Sequence, residues 1–111
     1  MRNTEVIVVG AGPTGLMLAT ELALAGVDTV VLDQLAEPTG QSKAGGLQPR
    51  SSEVLDLRGL LDDVPAARVD RPGGHFAGLP VTLDNTSWQT RYPHPVNFPQ
   101  VELERLLTER L

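Results

Sequence analysis

The ten residues Val6-Ile7-Val8-Val9-Gly10-Ala11-Gly12-Pro13-Thr14-Gly15 constrain the fold of this chain more than any other stretch, because each residue type there meets one physical demand. Four consecutive apolar residues bounded by Gly10 read as a short strand buried on both faces, as parallel strands are when helices cover them. Gly10 permits a tight turn out of the strand. Gly12 presents no side chain to an approaching group, and Gly15 lets the following helix lie close against the sheet. Pro13 suits a helix start, where a missing N–H costs nothing and a fixed φ helps. The pattern predicts a helix over 14–25 that Gly26 stops, then a second strand over 27–32 closed by Asp33. Strand, glycine turn, helix, strand and terminal acid in that order make a βαβ unit that holds a dinucleotide, its diphosphate at the positive end of the helix. Asp33 falls about twenty residues after the glycines, where a carboxylate accepts hydrogen bonds from a ribose hydroxyl. The same charge repels a 2′-phosphate, which disfavours NADP in this site and leaves NAD and FAD both open.

Bulk properties narrow the class further. The chain has 111 residues, 41% of them hydrophobic, which is ordinary for a soluble domain and small for a complete nucleotide-dependent enzyme. A doubly wound sheet normally needs about five or six strands. Only two clear parallel strands are legible, so the domain is expected to be incomplete. A net charge of −5 without a basic stripe argues against nucleic-acid binding. The absence of cysteine excludes disulfides and thiolate chemistry and fits a reducing cytoplasm. The N-terminus passes into an apolar run too short for a signal sequence or a membrane span, so the expectation is a cytoplasmic protein with no membrane contact.

Downstream, residues 34–48 are rich in Gly, Ser and Pro and read as a long irregular loop of the kind that usually carries function. A helix is expected over 50–58, capped by Gly59, with Leu60 and Leu61 packing beyond it. Residues 65–74 read as a surface connection, and Asp62-Asp63 as a solvated helix end. His75-Phe76-Ala77 and 79–83 look like short strands, followed by a turn at Asp84-Asn85 and a further candidate strand over 88–92. Three prolines in 92–99 argue against regular structure there, and a last helix runs over 100–111 with Leu103, Leu106, Leu107 and Leu111 on one face.

Four blocks in order, Val8 to Leu16, Val30 to Asp33, Lys43 to Leu55 and Pro99 to Glu104, resemble the N-terminal part of FAD-dependent aromatic hydroxylases, the bacterial polyketide hydroxylases above all. The resemblance covers essentially the whole chain. It implies an α/β, Rossmann-like doubly wound FAD-binding fold with a few additional short strands, residues 1–111 forming one truncated domain. It implies FAD as cofactor, NADPH or NADH as reductant, O2 as co-substrate, and an aromatic small-molecule substrate of polyketide type, in antibiotic biosynthesis. Carried over residue by residue, Gly10, Gly12, Pro13, Thr14 and Gly15 approach the diphosphate, Asp33 with Gln34 beside it takes the adenosine ribose, Lys43 the phosphates, and Gln100 the ribityl or flavin side. Two positions depart from the family pattern. Asp33-Gln34 stands where a Glu and a basic residue are usual, and Lys43 where Arg is common, a flexible point charge in place of a planar fork. No catalytic side chain is identified, in keeping with chemistry carried by the cofactor.

Other residues have plainer readings. Arg50 at a helix start opposes the dipole, and a surface salt bridge or an anionic cofactor would account for it. Gln100 at the mouth of the last helix serves equally as a cap. His75 and His94 lack the companions of a metal site, so no metal is expected. Trp88 and Tyr92 are read as core or interface residues before a substrate pocket. Two other functions compete with the hydroxylase: a non-catalytic nucleotide-binding fragment that needs a partner chain, or the rest of an enzyme, to complete its sheet, and an NAD-dependent dehydrogenase, which leaves the blocks at Lys43 and Gln100 unexplained.

Overall fold

The fold is taken from a computed structural model that describes residues 3–62 and 74–111. The expected surface connection over 65–74 lies outside the described residues except for Gly74, as does Asp63. The chain divides into two compact units, Met1–Lys43 with Gln100–Leu111, and Ala44–Pro99.

In the first unit, β1 (Val6–Val9) and β2 (Thr29–Leu32) pair in parallel, with Val6 opposite Thr29 and Val9 opposite Leu32. Parallel pairing requires a crossover, and α1 (Pro13–Leu24) supplies it. Pro13 opens α1, and its last carbonyls are closed by Gly26, at φ +74°, donating to Ala23 and by Val27 donating to Leu22. Gly26 therefore stops the helix as the sequence requires. Leu16, Ala19 and Thr20 are its buried residues, and the Thr20 hydroxyl donates to the Leu16 carbonyl at 2.8 Å, so its burial leaves no polar group unpaired. The last helix of the chain, α3 (Gln100–Thr108), packs on α1 and buries Leu107.

One expectation fails in β1. Burial alternates along the strand: Val8 is 6% exposed, whereas Ile7 is 57% and Val9 83% exposed. The cause is coverage, since α1 packs on the Val8 side, where a Cβ at Gly15 would lie 3.3 Å from a Val8 methyl, and the opposite face keeps its apolar residues in solvent. A two-stranded sheet with one helix layer buries one face.

In the second unit, β3 (Gly46–Leu47) pairs antiparallel with β4 (Val96–Asn97), and the Phe98 N–H adds a bond to the Gly45 carbonyl at 3.1 Å. Both strands lie in stretches expected to be irregular. Pro95 and Pro99 flank the paired residues without occupying a donor position in the ladder, so the prolines do not forbid the strand. The helix α2 (Pro49–Asp56) follows, and Gly59 at φ +63° closes it, donating to Asp56 while Leu60 donates to Leu55. Leu47, Leu55, Leu60, Leu61, Val96 and Phe98 are buried. The strands expected over 75–77 and 79–83 reduce to one bridge between His75 and Thr82, because Ala77 at φ +53° and Gly78 at φ +71° turn the chain and Pro80 removes a donor. Residues 88–92 form turns in place of a strand, with Thr90 N–H donating to the Trp88 carbonyl at 2.9 Å.

Candidate functional site

The candidate site lies within the first unit, where β1 passes into α1. Gly10 continues the strand ladder by donating to the Leu32 carbonyl at 2.7 Å, then leaves the sheet at φ +106°, a conformation that side-chain-bearing residues rarely adopt. Gly12 is the N-cap of α1 in extended conformation. No side chain caps this helix start and no acid occupies its first turn. The first-turn N–H groups of Thr14 and Gly15 therefore meet no capping side chain, and the dipole end stays positive. Space is distributed unevenly around the glycines. A Cβ on Gly15 would stand 1.9 Å from the Gly10 carbonyl oxygen, whereas a Cβ on Gly12 meets no atom within 4 Å. Gly15 is thus required by the protein's own packing, and Gly12 leaves open room beside the helix start.

Asp33 closes the other side of the turn. Its Oδ2 accepts from the Ala11 N–H at 2.7 Å and its Oδ1 from the Leu35 N–H at 2.9 Å. Those bonds, the Ala11 one first, hold the exposed carboxyl below its usual value near 3.8. The group is ionised and fixed in place, and each oxygen retains further acceptor capacity. Gln34, next to it, is exposed.

Lys43 and Gln100, 57 residues apart in sequence, are brought together: the Gln100 Oε1 accepts from the Lys43 backbone N–H at 3.3 Å. The Gln100 side-chain amide also donates to Glu104 Oε1 at 2.8 Å, and its backbone N–H donates to Ser42 Oγ at 2.8 Å. These side-chain bonds run to Lys43 and Glu104 and not to a first-turn N–H of α3, so the cap on the Gln100 N–H is Ser42 and not Gln100 itself. Ser42 lies 58 positions from the helix it caps, so no local pattern marks it; the one hint is Pro99, which leaves that helix start without a neighbouring capping side chain.

The other candidate residues belong to the second unit and are described on their own terms. Arg50 pairs with Glu53 at 2.8 Å while 79% exposed, the surface salt bridge foreseen for it. His75 accepts at Nδ1 from the Gly78 N–H at 3.0 Å. Tyr92 donates its hydroxyl to Asp56 at 2.8 Å, and Arg91 pairs with the same carboxylate at 3.0 Å; partial burial and then the Asp56 bond raise the Tyr92 phenol above 10.0. Among the described residues no His, Cys, Asp and Glu group is arranged to hold a metal ion, and no helix is long and apolar enough to cross a membrane.

A parallel strand pair, a crossover helix with an uncapped start, a glycine turn open at Gly12 and an acid anchored at the end of β2 define a dinucleotide-binding α/β unit. Residues 3–111 match the family described as FAD binding domain, and the chain belongs to that family. A 12-dehydrotetracycline 5-monooxygenase/anhydrotetracycline 6-monooxygenase of Streptomyces rimosus subsp. rimosus is 52% identical over 106 residues, covering 96% of this chain and 21% of the relative. A rifampicin monooxygenase of Rhodococcus hoagii is 47% identical over 111 residues, covering 96% of this chain and 22% of the relative. The solved structure of the anhydrotetracycline hydroxylase OxyS from Streptomyces rimosus superposes with a TM-score of 0.87 at 50% identity, covering 96% of this chain and 22% of that one. The chain thus spans about a fifth of the length of the relatives it matches. The resemblance read from the four sequence blocks holds, and FAD is the cofactor of the family.

Proposed function

We propose that this chain is the FAD-binding part of a flavin-dependent monooxygenase that hydroxylates an aromatic, polyketide-type substrate with NADPH or NADH and O2. The names of its relatives support the substrate class, and the site supports the cofactor. The observation that carries the reading is the pairing of an uncapped, acid-free start of α1 with open space at Gly12. FAD, when bound, would supply the redox chemistry: hydride transfer from the nicotinamide and delivery of one oxygen atom of O2 to an electron-rich ring, the other leaving as water.

The chain's own residues bind and orient. The N–H groups of Thr14 and Gly15 meet the diphosphate, Pro13 starts the helix that aims them, and Gly10 and Gly12 let the backbone approach. Asp33 accepts from the adenosine ribose with the lone pairs left over from Ala11 and Leu35, and Gln34 lies alongside. Lys43 adds positive charge for the phosphates, and Gln100 faces the ribityl or flavin side. The exposed apolar face carrying Ile7 and Val9 is the surface that the rest of the enzyme, or a partner chain, covers.

Titration of FAD into the purified chain, followed by quenching of flavin fluorescence, tests the cofactor. The expected result is saturable binding that Gly12→Ala abolishes without loss of fold. Failure to bind FAD, or equal binding by Gly12→Ala, refutes the assignment. The reaction is tested by nicotinamide oxidation and by incorporation of one oxygen atom from labelled O2 into a polycyclic phenol.

A further inference from the structure

The helix α3 opens at Gln100 directly after Pro99, which has no side-chain oxygen to take up a first-turn N–H. Ser42 performs that task from a distant part of the chain, its Oγ accepting from the Gln100 N–H at 2.8 Å. Gln100 answers in the opposite direction, its Oε1 accepting from the N–H of Lys43, the next residue after Ser42, at 3.3 Å. Two reciprocal bonds between a helix start and an adjacent pair of loop residues amount to a capping box divided between two parts of the sequence. The loop needs such a fastening. Residues 34–43 between β2 and this point are exposed throughout and form no regular element, so little packing restrains them. The far end of the clasp is firm, because Gln100 is also held by Glu104 at 2.8 Å and α3 packs on α1.

We propose that Ser42 is a positioning residue of the dinucleotide site: its hydroxyl fixes Lys43 and Gln100 with respect to the start of α1 before the cofactor arrives. This rests on the FAD reading above. A carboxamide already placed and a lysine whose backbone is already fastened lose less freedom on binding than the same groups on a loose loop, so the hydroxyl acts on cofactor affinity without touching the cofactor.

The test compares the 111-residue chain with Ser42→Ala, Ser42→Thr and Thr39→Ala, a change in the same loop whose hydroxyl accepts from Gln41 and not from Gln100. Two readouts are taken: hydrogen exchange of the Gln100 amide in the ligand-free chain, and the Kd for FAD by fluorescence quenching. Ser42→Ala is expected to speed the exchange and weaken FAD binding, each about fivefold, the typical worth of a cap. Ser42→Thr retains the hydroxyl and restores both, Thr39→Ala changes neither, and Lys43→Ala costs less affinity in the Ser42→Ala background than alone. Unchanged FAD affinity in Ser42→Ala, or an equal loss in Thr39→Ala, overturns the positioning role while leaving the FAD reading intact. A parent chain that takes up no FAD overturns both.

Discussion

Replacing Gly15 with alanine separates the demands of packing from those of binding. The added Cβ would lie 1.9 Å from the Gly10 carbonyl oxygen, 3.1 Å from the Gly10 carbonyl carbon and 3.3 Å from a Val8 methyl, whereas real Cβ contacts essentially never fall under 3.0 Å. The nearest obstacle is backbone in the turn itself, so no side-chain rotation relieves it. Either α1 moves away from the sheet by about 1 Å or the turn opens, and overpacking of this kind costs about 1–3 kcal/mol or somewhat more. Alanine is a better helix former than glycine by about 1 kcal/mol, which offsets part of the loss. Because the clash involves unyielding backbone, the net expectation is a destabilisation of about 2 kcal/mol, or about 8–16 °C in Tm for a domain of this size. Gly12→Ala is the counterpart. Gly12 has φ −78° and ψ 179°, which alanine adopts freely, and no atom lies within 4 Å of the new Cβ, so stability stays within about 0.5 kcal/mol of the parent. Thermal and urea denaturation of the two variants, with FAD titration beside them, is the assay. Wild-type stability in Gly15→Ala would refute the argument that close approach of helix and turn holds this unit together.

Other perturbations give distinct signatures. Asp33 is held below its usual carboxyl value by the Ala11 and Leu35 amides, so its contribution is complete above about pH 4 and is lost as pH falls through the lowered value. The stability difference between the parent and Asp33→Asn should be flat at neutral pH and shrink on acidification, and a difference that grows in acid would reverse the sign argued here. Tyr92→Phe removes the bond to Asp56 and should cost about 1 kcal/mol in urea denaturation, with no change in FAD affinity. Arg50→Ala breaks an exposed pair with Glu53 and should change stability by less than about 1 kcal/mol, whereas a large loss of FAD affinity would show that Arg50 serves the cofactor.

The βαβ unit was legible because its signals are local. β1 spans the residues its apolar run marks, α1 begins at Pro13, Gly26 ends it, and Gly59 closes α2, each through backbone geometry that one residue type serves best. Pairings with no motif behind them were not legible. β3 and β4 are two residues each and exist because Gly46 meets Asn97 and Leu47 meets Val96, a pairing that neither stretch announces. Residues 75–83 carry strand-like composition, but Pro80 and the left-handed pair Ala77-Gly78 reduce it to a single bridge. Continuous apolar composition in β1 implied two covered faces, yet composition reports what a strand tolerates and the neighbours decide what is covered.

The candidate site divides along the same line. Its glycines and Asp33 were found from spacing, but spacing did not reveal that Asp33 grips the turn. An aspartate has a shorter arm than the glutamate usual in the family, and here that arm ends 2.7 Å from the Ala11 N–H and 2.9 Å from the Leu35 N–H. Both oxygens are thus tied to backbone on either side of the strand end, which fixes the carboxylate's orientation. The residue proposed as a ligand for ribose is therefore also part of the frame that shapes the glycine turn, and a carboxylate already fixed on folding has less freedom left to lose on binding. The same logic governs Lys43, whose single flexible charge is less directive than an arginine fork. Its backbone is fastened to Gln100, so the chain fixes the base of the side chain where it cannot fix the tip. In both places a bond to backbone limits the freedom of the residue, and that coupling is visible only when the fold has brought the partners together.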